Sequence, residues 1–241
     1  MIDILKIEQA LKKSDVAESI GTQQEKYIHQ FIKYLISLDS SNHEIKIDKH
    51  IVDILLDKHI YEIQTSNFSK LKTKVSSLLE NYQVTIVYPL LCEKILYKVH
   101  DDGSVLGPRK SPKPDTVYKL FSELYAIQDL LGNKNLSFKL ILLSVDYYQK
   151  ERLNRYKQVR YSHIDSRINK IVDIIDINNT DALGELINIQ GEFDRHQFEK
   201  ESKLTGRKAS SALVVLKNLE LIKVNRKDGK KYIYQNNTIK E

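Results

Sequence analysis

Over residues 43–91 the chain reads as three short β-like runs, one amphipathic helix and one long apolar strand, and that order limits the fold more than any other feature. The runs are HEIKID (43–48), HIVDILLD (50–57) and HIYEIQT (59–65), and the Asp57-Lys58 step between the last two is short enough for a tight hairpin. In SNFSKLKTKVSSLLENY (66–82) apolar residues at 68, 71, 75, 78 and 79 recur at helical spacing, with Ser66 or Asn67 placed as the cap. VTIVYPLL (84–91) is continuously apolar, which suits a strand buried on both faces. A helix between the third and fourth strands allows a right-handed parallel crossover. Ahead of these elements, QQEKYIHQFIKYLISL (23–38) carries one apolar stripe, with Thr22 and Glu25 in the pattern of a capping box. The expected class is α/β (α+β), a mixed central sheet flanked by helices.

Further along, ILYKVHDDGSVL (95–106) predicts a hairpin around Asp102-Gly103, VYKLFSELYAIQDLLG (117–132) a helix ending at Gly132, and SFKLILLSVDYY (137–148) another strand. Three of the four prolines fall in GPRKSPKPD (107–115), a basic loop. GSVLGPRKS (103–111) is not a phosphate-cradling loop, because its spacing is wrong and Pro108 has no N–H to offer. Residues 151–180 are expected to form a basic helical connector, and the turn-forming INNTDALG (177–184) a boundary. The expected division is an α/β domain over 1–150, the connector over 151–180 and a C-terminal domain over 181–241.

Composition removes several function classes. No apolar run approaches the roughly 20 residues that cross a bilayer, and the N-terminal MIDILKIEQALKKSD mixes charges into its apolar residues, as an amphipathic helix does. A single cysteine, Cys92, excludes an internal disulfide framework and a thiolate zinc site. These features give a cytoplasmic expectation. The seven histidines show no metal-ligand spacing, and neither a serine elbow nor a dinucleotide fingerprint occurs, so no organic cofactor is expected. The net charge of +6 is unevenly spread. Lys203, Arg207, Lys208, Lys217, Lys223, Arg226, Lys227, Lys230 and Lys231 meet only Glu220 and Asp228. A second cluster of Lys150, Arg152, Arg155, Lys157, Arg160, Arg167 and Lys170 meets only Glu151 and Asp165, with Tyr147, Tyr148, Tyr156 and Tyr161 interleaved. Patches of this kind suit a phosphate backbone; two solvated helical faces are the bland alternative.

The acids of the hairpin carry the chemistry. A turn centred on Asp57-Lys58 sets Asp53 opposite Glu62, and directly opposed residues share a face about 4.5–5.5 Å apart. Two like charges so placed need compensation, for which a divalent cation with hard oxygen ligands, Mg²⁺ or Mn²⁺, is the natural candidate. The Ile63 carbonyl offers a third ligand, Gln64 projects with Glu62, and Glu25 on the preceding helix offers another carboxylate. Of the lysines on the next helix, Lys70 and Lys74 are the pair placed to face this site. The alternative is a solvated hairpin acid, Asp53, balanced by Lys46 or Lys70.

This arrangement resembles the PD-(D/E)XK endonuclease superfamily, with its helix, three strands, helix, strand core, an Asp on the second strand and Glu-x-Lys on the third. The resemblance covers residues 20–90 and includes YPL closing the fourth strand. It implies Asp53 and Glu62 as metal ligands, Gln64 at the lysine position and Glu25 as the helical acid. Gln64 departs from the lysine that steadies charge developing on phosphate, a task for which Lys70 or Lys74 is the substitute.

Towards the C-terminus, Asp194 caps RHQFEKESKL (195–204), TGR makes a turn, RKASSALVVLKNLEL (207–221) is a second helix and LIKVNRKDGKKYIYQ (221–235) a hairpin tipped by Asp228-Gly229. This order resembles a winged helix-turn-helix over 181–235, which implies that the second helix enters a DNA groove and the hairpin touches the backbone. The small residues Ala209, Ser210, Ser211 and Ala212 are expected to allow close approach. With Arg207, Lys208, Lys217, Arg226, Lys227, Lys230 and Lys231, and Arg155 and Arg160 from the other cluster, they make the expected DNA surface. The expected function is metal-dependent DNA cleavage by a homodimer. The alternatives are a non-enzymatic DNA-binding regulator with a silent nuclease fold and a protein-binding scaffold.

Overall fold

The computed structural model describes residues 4–17, 24–100 and 102–237, with their side chains except those of residues 4, 15–17, 24–26 and 163. Thr22 and the Glu25 side chain therefore lie outside the described residues. Two helices, α1 (Ile4–Ala17) and α2 (Gln24–Ile36), precede three strands, β1 (His43–Ile47), β2 (His50–Leu56) and β3 (His59–Ile63). Next come α3 (Lys72–Leu78), β4 (Gln83–Val99), β5 (Val105–Lys110), α4 (Tyr118–Leu124), β6 (Leu136–Leu153) and β7 (Val159–Ile177). The remainder comprises α5 (Thr180–Gly184), β8 (Glu192–Phe193), α6 (Arg195–Ser202), α7 (Gly206–Asn218), β9 (Ile222–Asp228) and β10 (Lys231–Asn236).

The protein is α+β, with a mixed central sheet of order β1-β2-β3-β4-β6-β7 and β5 paired to β4. Strands β1 to β3 are antiparallel, β3-β4 and β4-β6 parallel, and β6-β7 antiparallel. The two parallel steps are the ones bridged by helices, α3 and α4, as crossover connections require. Helices cover both faces. One core joins Val52, Ile60, Ile86 and Leu140 to Phe68, Val75 and Phe121; the other joins Ile54, Ile63, Val87 and Ile141 to Phe31 and Ile32 of α2.

Several expectations are corrected. Residues 151–180 hold no connecting helix: β6 continues to Leu153, β7 starts at Val159, and the two pair along their whole length. The stretch is rich in stiff β-branched residues (Val159, Ile164, Ile168, Ile171, Val172, Ile174, Ile175, Ile177), which pack better on a pleated surface than around a helix. The turn signal is Asn154, whose Oδ1 accepts the N–H groups of Tyr156 and Gln158 at 2.9 and 3.0 Å. Asn67 does not cap α3 with its side chain; it adopts the left-handed conformation (φ 58°) before a short 3₁₀ turn, Phe68–Lys70. The helix expected over 117–132 breaks after α4 into a 3₁₀ segment, kinked at Ile127.

The C-terminal elements form helices α5 to α7 and a three-stranded sheet of order β8-β10-β9. The capping box at Asp194 is present, with Gln197 as its partner. These elements are not detached from the sheet: a single apolar cluster runs from Val52 and Leu140 to Phe198, Leu216 and Ile222. Tyr118 of α4 stands edge-on to Phe198 at 5.7 Å and bonds Asn188 Oδ1 at 2.8 Å. Ala209 and Ala212 are fully buried, so the small residues of α7 let it pack closely on this core and do not face outwards; Ser210 and Ser211 are half-exposed.

Among the described residues, the Tyr88 hydroxyl is the buried side-chain polar atom without a hydrogen-bond partner. A desolvated, unpaired hydroxyl costs about 1–3 kcal/mol. Tyr88→Phe is therefore expected to hold or raise the melting temperature; a fall of several degrees in a thermal melt would show that the hydroxyl is bonded.

Candidate functional site

The β2-β3 ladder pairs Ile54↔Tyr61, Leu55↔Ile60 and Leu56↔His59, the register expected for a turn centred on Asp57-Lys58. One residue further on the ladder stops. There β3 is held by β4, through Glu62↔Ile86 and Ile63↔Val87, while β2 is held by β1, through Ile45↔Val52. Backbone N–H groups at such a fork still need acceptors, and the two acids supply them. Asp53 Oδ2 accepts from Ile63 N–H at 2.8 Å, and Glu62 Oε1 accepts from Asp53 N–H at 3.3 Å.

The other oxygen of each acid meets a cation, and the cations come from opposite layers. Asp53 Oδ1 lies 3.3 Å from His29 Nε2 and 3.9 Å from Lys33 Nζ, both on α2. Lys33 is almost fully buried and also donates to Glu44 Oε1 at 2.8 Å. Glu62 Oε2 accepts from Lys74 Nζ of α3 at 2.6 Å, and Lys74 donates as well to the Ile51 carbonyl at 2.5 Å. The like-charge pair is thus compensated by Lys33 and Lys74, with the His29 ring as a further partner of Asp53. Asp53 is not a solvated acid balanced by Lys46 or Lys70: its side chain is 19% exposed and its neighbours are on α2.

The two acids sit in opposed electrostatic conditions. Burial, joined by the nearby Asp53 charge, pushes the Glu62 carboxyl up from 4.5 to about 7, against the pull of Lys74. Burial also works upward on Asp53, but the hydrogen bond and charge of His29, the Ile63 N–H and Lys33 outweigh it and hold this carboxyl below its usual range. One acid is poised to carry a proton near neutrality while its neighbour stays ionised.

Of the residues singled out from the sequence, the structure brings together Asp53, Glu62, Ile63 and Lys74. Ile63 contributes through its N–H. Lys70 is exposed in the 3₁₀ turn. The Gln64 amide is turned to the Ser66 and Asn67 carbonyls and so does not point at the acids. Among the described residues no group of three or more His, Cys, Asp and Glu side chains is disposed to hold a metal ion. The donors present, two carboxylates, have the hard-oxygen chemistry that Mg²⁺ or Mn²⁺ prefers, although all four of their oxygens already accept from or face a donor. His29 and Lys33 were not anticipated; their spacing of four puts them on one side of α2, but only the packing of α2 on the sheet brings that side to Asp53.

On the C-terminal sheet, Lys217, Lys230, Lys231, Val214, Val224 and Tyr232 border a groove of about 650 Å³. Arg207, Lys208 and Lys227 are exposed, while Arg226 is engaged by Glu192 at 2.5 Å and Lys231 lies 3.7 Å from Asp194. Arg155 and Arg160 are exposed on the β6-β7 hairpin.

Residues 26–178 match the family model described as Domain of unknown function (DUF8091). The chain belongs to this family. The matched span takes in α2 from its third residue, the whole central sheet and all of His29, Lys33, Asp53, Glu62 and Lys74, and it stops one residue past β7. An uncharacterized protein of Treponema pallidum (strain Nichols) is 27% identical over 171 residues, covering 69% of this chain and 67% of that protein. No solved structure matches the chain. No helix among the described residues is long and apolar enough to cross a membrane.

Glu62 gives a pH signature. An acid whose value rises from 4.5 to about 7 on folding binds its proton longer in the folded state, so its contribution to stability declines as pH rises through that window and is level above it. Glu62→Gln removes the group. Denaturant melts at several pH values are expected to show the variant gaining on the wild type between those limits, by at most on the order of 3 kcal/mol. A difference that does not change with pH would refute the shifted carboxyl.

Proposed function

We propose that this protein is a metal-dependent DNA endonuclease of the PD-(D/E)XK type, acting in the cytoplasm on duplex DNA. The observation that carries the reading is the fork itself: an Asp and a Glu from adjacent strands converge where those strands part, with a lysine 2.6 Å from the Glu. Asp53 and Glu62 would hold Mg²⁺ or Mn²⁺. When bound, the cation lowers the pKa of a water and polarises the phosphate. Lys74 would leave Glu62 for the scissile phosphate, taking the part that Gln64, tied to its loop, does not play. His29 and Lys33 keep Asp53 ionised and oriented. The order α5, β8, α6, α7, β9, β10 supports a winged helix that docks the duplex through Arg207, Lys208, Ser210, Ser211, Lys217 and the basic hairpin. Cutting both strands calls for two sites, hence a homodimer.

A second reading is a DNA-binding regulator with a silent nuclease fold. It is favoured by the full engagement of all four carboxylate oxygens with protein donors. Plasmid nicking with Mg²⁺ or Mn²⁺ separates the two. Wild type is expected to nick, and Asp53→Asn, Glu62→Gln and Lys74→Ala to lose at least about a hundredfold in rate at matched DNA affinity. DNA binding without any nicking by the wild type decides for the regulator.

A further inference from the structure

The β6-β7 hairpin outruns the rest of the sheet. β4 accompanies β6 only as far as Val99↔Lys150, whereas β6 and β7 stay paired through Leu153↔Val159. Residues 151–161 are therefore a two-stranded ribbon without a third paired strand, touched from β4 by Lys98 at Tyr161. Residues 150–160 contain Lys150, Arg152, Arg155, Lys157 and Arg160 against the single acid Glu151.

The ladder places Arg152 directly opposite Arg160, and Glu151 opposite Tyr161 on the other face. Like charges directly opposed weaken a β-ladder, and a ribbon with no core beneath it depends on its cross-strand pairs. Folding alone gives no reason to face two arginines here; a ligand with closely spaced negative charges does. Lys150 lies two residues from Arg152 and so on the same face, and further down that face Tyr148 stacks on Tyr97 at 4.9 Å with the Arg167 guanidinium 6.0 Å from its ring.

We infer that the β6-β7 ribbon is an arm that grips the phosphate backbone of double-stranded DNA, with Lys150, Arg152 and Arg160 as its contact face and Arg155 and Lys157 at its tip. A two-stranded ribbon fits the B-DNA major groove, about 12 Å wide. Tyr97 and Tyr148 are stacked on each other and Tyr161 takes a hydrogen bond from Lys98 at 2.8 Å beneath a cation–π contact, whereas Tyr156 at the tip is exposed beside the Arg155 guanidinium. The choice of a duplex rests on the ribbon and its opposed arginines, and the comparison with single strands below tests it. The inference rests on the DNA-binding half of the proposed function and not on cleavage.

The test is anisotropy of a labelled duplex of about 20 base pairs titrated with the full chain in EDTA over a salt series. Arg152→Gln/Arg160→Gln is compared with wild type and with Arg207→Gln/Lys208→Gln on α7. Losing two phosphate contacts is expected to lower the magnitude of the log K against log salt slope by about 2 and the affinity by about tenfold or more. The melting temperature of that variant should hold or rise as the opposed charges go. Wild-type affinity and slope in the arm variant, tighter binding to single strands than to duplex, or no duplex binding by the wild type would each overturn the arm. A fall in melting temperature would do so too, by making the arginines structural. Because EDTA abolishes cleavage, failure to nick plasmid leaves this result standing, and an arm variant that binds like wild type sinks the arm even where nicking is seen.

Discussion

The fork between β2 and β3 sets the terms for the whole N-terminal half. β3 stays paired with β4 through Glu62 and Ile63, while its ladder with β2 stops at Ile54↔Tyr61. Two N–H groups, those of Asp53 and Ile63, are left without backbone acceptors and are satisfied by Glu62 and Asp53 side chains. That solution places two carboxylates next to each other in a largely buried position. A buried carboxylate pair is costly unless cations reach it, and here α2 supplies Lys33, beside the His29 ring, while α3 supplies Lys74. The packing of both helical layers on the sheet is therefore tied to the acids as well as to the apolar cores.

The same economy explains how far apart in sequence the cooperating groups are. Lys33 can be buried because Glu44 and Asp53 meet it, and Glu44 reaches it from β1, where its own backbone takes a positive φ of 54°. The raised Glu62 and the depressed Asp53 are two outcomes of one environment: burial acts on both, but the depressed acid has more and better-directed donors. Paired carboxyls pushed in opposite directions are the usual basis for dividing proton-carrying and charge-holding roles within a site.

The C-terminal elements are joined to the sheet through α4. Tyr118, Phe121 and Leu124 of α4 face a core shared with Phe198 and α7, and Thr116 Oγ1 bonds the Ser202 carbonyl. Helices of eight and thirteen residues have little apolar surface of their own to bury, so leaning on α4 supplies what a separate small domain would lack. At the other extreme the β6-β7 ribbon has no such support and keeps its shape through the ladder and the Asn154 turn.

Much of the local structure was written in residue order. The three short strands, the hairpin register, the parallel crossover and the Asp194 cap follow from side-chain periodicity and turn chemistry, which act over a few residues, while the C-terminal hairpin turns at Gly229-Lys230, one residue past the expected Asp228-Gly229 tip. Asp53, Glu62 and Lys74 were singled out from the turn and the helical period and do come together, but the expected Asp53–Glu62 cross-strand pair on one face does not form: the ladder stops at Ile54↔Tyr61 and the two acids meet cations of opposite layers. The strand identity of residues 159–177 lay in its β-branched residues but was obscured by basic residues that suit a helix surface equally well, and pairing with β6 completes the extended form. Tertiary structure alone decided that Gln64 turns into its loop, that Ala209 and Ala212 face inwards, and that His29 and Lys33 reach Asp53 across the sheet. Those outcomes depend on which long-range surfaces are buried and which charges meet there, and neither is encoded in spacing along one segment.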